Sequence, residues 1–120
     1  MAEEISIRVA EAAGSGLCVA SDDGEKIFAQ IAEALKEGRK VHLSFQNVTS
    51  LTSAFLNAAV GQLYAKFSEE KIRESLRVSE MAPEDLALLK RVVDTAKLYF
   101  KDPERFARVQ REVMEGESDE

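Results

Sequence analysis

Two adjacent hydroxyls, Thr52 and Ser53, open an apolar helical pattern, and side-chain type and spacing suit chemistry best at this point of the chain. From Phe55 the apolar residues fall at 55, 56, 59, 60, 63, 64 and 67, which is helical spacing. The first N–H groups of a helix have no partner inside it, so a Thr or Ser at its start can accept from them. Upstream, Val41, Leu43 and Phe45 alternate with polar residues as in a half-buried strand, and residues 46–50 are polar and turn-rich. Strand, turn and helix start thus gather Asn47, Ser50, Thr52 and Ser53, with Asn57 one helical turn beyond Ser53 on the same side. These five are the candidate partner- or ligand-binding residues.

Other reactive side chains are isolated. His42 is the sole histidine, and no cysteine or carboxylate stands near it in sequence, so it reads as an edge or packing residue rather than a metal ligand or general base. Cys18 lacks a neighbouring basic pair that would lower its thiol pKa, and it reads as a small apolar filler. Gly14-Ser15-Gly16 fits neither the Walker nor the dinucleotide pattern, so no cofactor is expected. Lys90, Arg91, Arg105, Arg108 and Arg111 read as the solvated side of the C-terminal helices. Without paired carboxylates, a nucleophile–base pair or a metal cluster, the sequence argues against an enzyme.

The elements that must position the hydroxyls follow from periodicity. Residues 4–9 alternate and read as a strand, 10–15 as a small, flexible connection, and 17–19 as a short second strand. Asp22 with Glu25 resembles a capping box for a helix whose apolar stripe is Ile27, Phe28, Ile31 and Leu35, with Gly38 placed to end it. Residues 74–79 read as a fourth strand. Pro83 opens a helix with Leu86, Leu89, Val93, Ala96 and Phe100 on its apolar face, and Asp102-Pro103 opens a last one with Phe106, Val109 and Val113. The expected fold is α/β: a small mixed sheet of about four strands with helices packed mainly on one face.

Bulk composition sets the frame. The chain has 120 residues, 45% of them hydrophobic and 32% charged, and reads as a single domain over 1–114 with an acidic tail at 115–120. A net charge of -6 argues against nucleic acid as the main partner. One cysteine excludes an internal disulfide, no apolar run approaches a membrane span, and the acidic Met-Ala-Glu-Glu start is not a secretory signal. A cytoplasmic location is expected.

The stretch Leu51-Thr52-Ser53-Ala54-Phe55-Leu56 stands where anti-sigma factor antagonists of the STAS fold carry Asp-Ser-Ser-Gly-Leu, after a hydrophobic strand and a turn. Thr52-Ser53-Ala54-Phe55-Leu56-Asn57-Ala58-Ala59-Val60-Gly61 more closely resembles the STAS-like domain family of unknown function. The likeness spans roughly residues 15–100, and its specific part is 41–64. It implies a STAS-like fold and a bacterial regulatory phosphoprotein. Ser53, or Thr52 beside it, is the implied phosphorylation site. The implied partner is a serine kinase of the anti-sigma type or a related signalling ATPase. Two other readings stand beside it: a small-ligand or nucleotide-binding module, and a structural homodimer.

Overall fold

The computed structural model describes residues 4–101. Three strands, β1 (Glu4–Arg8), β3 (Lys40–Ser44) and β5 (Leu76–Ser79), form a parallel sheet in the order β1-β3-β5. Register aligns Ile5, Val41 and Leu76 in one row and Ile7, Leu43 and Val78 in another. Strand side chains alternate between faces, so these six share one side of the sheet. Because the order advances in one direction only, right-handed crossovers carry both connections over the same face. That face holds the core: Ile7, Val41 and Leu43 are buried with Ile27, Ile31 and Leu35 of α2 (Ser21–Lys36) and with Phe55, Leu56 and Leu63.

The other face of the sheet is polar. Arg77 donates from Nε and a terminal nitrogen to the two carboxylate oxygens of Glu4, at 2.9 and 2.8 Å, and so ties the two edge strands together across β3. This bidentate pair holds the Glu4 carboxyl below its ordinary pKa, chiefly through the hydrogen bond from Arg77. His42 lies on the central strand, half-buried, with Nε2 2.6 Å from Ser79 Oγ.

Where one sheet of about four strands is expected, the strands divide three and two. β2 (Leu17–Cys18) and β4 (Ser50–Leu51) pair with each other, in parallel, as a separate ladder. The 46–50 segment is therefore not all turn: Thr49 and Ser50 both donate backbone N–H groups to Gly16 O. Val9, expected to end the first strand, and 10–13, expected as part of a flexible connection, together form α1 (Val9–Ala13). Small residues that read as flexibility are good helix formers, and Val9 anchors them in the core. Similarly, α5 (Glu69–Ser75) precedes β5, so the expected strand at 74–79 begins only at Leu76. Ser68 caps α5 by accepting from Lys71 N at 3.1 Å, and Ile72 is buried beneath it.

No capping box starts α2. Its N-cap is Ala20, without a side-chain cap, and Asp22 and Asp23 instead stand in the first turn, where carboxylates suit the helix dipole. Gly38 ends the helix with φ 77, as expected. Gly24 is the contact point of this helix. A Cβ there would stand 2.5 Å from the backbone oxygen of Phe55, so α2 crosses the following helical segment almost backbone to backbone.

α6 (Pro83–Lys101) packs over the far side of that segment through Leu89, Val92 and Ala96. Its buried stripe is rotated from the expected one: Leu86 is 49% exposed and Val92 is inside. Lys97 meets Glu69 at 3.0 Å and ties α6 to α5. The expected last helix after Asp102-Pro103 and the acidic tail at 115–120 lie outside the described residues.

Two outcomes are expected. Gly24→Ala should cost about 2–3 kcal/mol in chemical denaturation, since a backbone oxygen cannot yield as a side chain does; a loss under about 0.5 kcal/mol would show that the two helices can separate freely. In an NMR titration, the Glu4 carboxyl should titrate below an ordinary glutamate and return to it in Arg77→Gln. A folded-state pKa lowered in this way adds stability above the unfolded pKa of about 4.3 and loses it as pH falls, so the variant's acid transition should be shallower.

Candidate functional site

The segment following β4 is one helical run with an irregular middle: α3 (Ser53–Leu56), a π turn (Asn57–Gly61) and α4 (Leu63–Lys66). Its apolar pairs explain the irregularity. Positions 55/56, 59/60 and 63/64 recur every four residues, whereas an α-helix turns in 3.6, so an unbroken α-helix would drift by about 40° per pair. One wider turn, closed by Gln62 N donating to Asn57 O at 3.1 Å, takes up the difference. Phe55, Leu56, Ala59, Val60 and Leu63 consequently all stay in the core.

The two hydroxyls at the start of the run are not equivalent. Thr52 is the N-cap: its Oγ1 accepts from Phe55 N at 3.2 Å and donates to Val19 O at 3.0 Å. Its backbone N–H donates to Cys18 O and its carbonyl accepts from Leu56 N, so the residue is tied on both sides. Ser53, which also reads as a cap in the sequence, is instead the first helical residue, and it is exposed. Among the described residues its hydroxyl has no hydrogen-bond partner.

The remaining candidates separate. Asn57 is exposed and begins the π turn, and it lines the same cleft as Ser53. A Cβ on Gly61 would stand 2.5 Å from Asn57 Oδ1, so the glycine leaves room for the asparagine side chain. Asn47 (φ 67) occupies the left-handed corner of the turn after β3, and Ser50 lies in β4 beside the Gly16 turn. Neither lines the cleft.

That cleft, about 770 Å³, runs between the central run and α6. One wall is Ser53, Ala54, Asn57 and Gln62; the other is Leu88, Arg91, Val92, Thr95, Ala96, Tyr99 and Phe100. The α6 wall follows the 3–4 spacing of a single helix face, a signal present in the sequence but assigned there to a different stripe. A second cleft of about 590 Å³ lies on the α2 side, lined by Ser21, Glu25, Phe28 and Lys66 among others. Ala54, Asn57 and Gln62 line both, so the exposed edge of the central run is a ridge between two grooves. Lys66 Nζ sits 6.0 Å from the centroid of the Phe28 ring and bridges the second groove.

Cys18 stays inert in this geometry. It is fully buried, and desolvation, with the Asp23 carboxylate adding to it, pushes the thiol pKa up. No helix among the described residues is long and apolar enough to cross a membrane.

Substitution should separate the hydroxyls. Thr52→Ala is expected to lose about 1–2 kcal/mol of stability, and Ser53→Ala to stay within about 0.5 kcal/mol of the parent. Equal losses in urea denaturation would mean that Ser53 shares the capping. Native Cys18 should resist a disulfide-forming thiol reagent and react only on unfolding; prompt labelling of the folded protein would contradict its burial.

Residues 23–86 match the family described as STAS-like domain of unknown function (DUF4325). The matched stretch runs from α2 to the first turn of α6 and contains Ser53, Asn57 and Gly61. No curated protein and no solved structure matches the chain. Covering just over half of the sequence, and including the helix start to which the hydroxyl motif points, the match makes this chain a member of the STAS-like domain family of unknown function.

Proposed function

We propose that the chain is a non-enzymatic regulatory module that binds a protein partner through the ridge of the central run, and that phosphorylation of Ser53 switches this binding. One observation carries the reading. Thr52 already caps the helix, which leaves the Ser53 hydroxyl exposed and, among the described residues, without a hydrogen-bond partner at the head of a ridge between two grooves. A hydroxyl needed for capping would be a poor switch, because modifying it would fray the helix. Ser53 can take a phosphate without losing a structural bond. The added charge of about -1.5 to -2 lies near free helix amides that stabilise it, and it changes the surface a partner meets.

The partner, by likeness to the antagonists, is a serine kinase of the anti-sigma type or a related signalling ATPase in the cytoplasm. In the switching step the Ser53 Oγ–P bond forms as ATP on the kinase loses its γ-phosphoryl group. ADP leaves and the hydroxyl proton goes to solvent or to a base of the kinase.

The test is intact-mass and phosphosite mapping of protein purified from its native host, beside Ser53→Ala. A single phosphate at Ser53, lost in the variant, is the expected result. Protein that stays unmodified across growth conditions would refute the switch, and thermal stabilisation by nucleotide alone would favour a ligand-binding module instead.

A further inference from the structure

The cleft beside Ser53 differs in charge from the rest of the molecule. The chain carries 22 carboxylate side chains against 16 Lys and Arg, yet among the described residues the cleft is lined by no carboxylate and by one cation, Arg91. Arg91 is exposed, and among the described residues its guanidinium makes no ion pair or hydrogen bond. It shares one face of α6 with Leu88 and Thr95, and with them it lines the cleft whose other wall carries Ser53 and Asn57. Thr95 and Asn57 add a hydroxyl and an amide to the lining. A guanidinium without an acidic neighbour among the described residues of its cleft selects an anion, and its planar fork of donors fits phosphate oxygens two at a time.

We infer that Arg91 is the internal reader of a phosphate on Ser53. The phosphorylated side chain is held across the cleft by Arg91, and α6 is drawn onto the central run. This rests on the Ser53 reading above and extends it. Phosphorylation then does more than place a repelling charge on the ridge: it closes the groove on one side of that ridge. Lys90, the neighbouring residue, carries the same charge but does not line the cleft, so overall charge and position can be told apart.

The experiment uses the full chain with phosphoserine installed at position 53 during translation, so it does not require that a kinase modify Ser53 in the cell. The second pKa of the phosphate is followed by phosphorus NMR in the parent, Arg91→Gln, Arg91→Lys and Lys90→Gln. Free phosphoserine titrates near about 6. The parent should lie below this by about half a unit to one unit. Arg91→Gln should recover most of that shift, Arg91→Lys should fall between, and Lys90→Gln should follow the parent. Hydrogen exchange of the α6 amides from 88 to 100 should slow on phosphorylation in the parent and not in Arg91→Gln. Equal pKa values in Arg91→Gln and Lys90→Gln, or exchange unchanged by the phosphate, would overturn the inference. A positive result here with no phosphate on the native protein would instead retain the Arg91 contact and remove the proposed switch.

Discussion

The handedness of two crossovers governs this fold. Three parallel strands taken in the order β1-β3-β5 leave the connecting chain only one face to cover. The described helices therefore compete for one side of a narrow sheet, and they cannot all touch it. The central run solves this by lying between α2 and α6, with Phe55, Leu56 and Leu63 turned inward and a thin strip turned out. The near contact at Gly24 is a consequence of that crowding. The sheet's other face stays polar, and the Glu4–Arg77 pair links its two edge strands.

Crowding also accounts for the division of labour between two neighbouring hydroxyls. The strand that delivers the chain to the helix, β4, is only two residues long and depends on its ladder with β2. Thr52 reinforces that junction, because its hydroxyl reaches back to Val19 as well as forward to Phe55. The next residue is released from any such duty. A structural anchor and a free nucleophile-type oxygen thus sit one peptide apart, and the β-branched residue takes the anchoring role, its χ1 being the stiffer of the two.

Much of this was legible in the sequence where periodicity was long. The strand at 41–45, the stripe of α2 and the helical pattern from Phe55 all follow from spacing, and so did the family resemblance through 52–61. What misled was short or locally ambiguous. Ala10, Ala12 and Ala13 look like a loose tether until Val9 is seen to be buried. The apolar run at 17–19 does read as a strand, but its partner β4 is two residues long and leaves no pattern, since backbone groups of Gly16 and Cys18 rather than side chains define the pairing. On α6, Leu86, Leu89 and Val93 form as good an apolar row as Leu89, Val92 and Ala96. Only the position of the neighbouring run decides which is inside, and with that choice Arg91 moves from an open surface to a cleft wall.

The wide turn at 57–61 has one more consequence, for how the two ends of the run are aimed. It acts as a vernier: the half of the run carrying Leu63 is set by the core, and the half carrying Ser53 is indexed to it through one surplus residue. Without that residue the run would be plain α-helix, and everything before it would rotate by about 100° about the axis. Ser53 would then leave the α6 side and Phe55 would leave the core with it. The bearing of the exposed hydroxyl is thus set by a count of residues, and the Thr52 cap and the buried Phe55 keep it there.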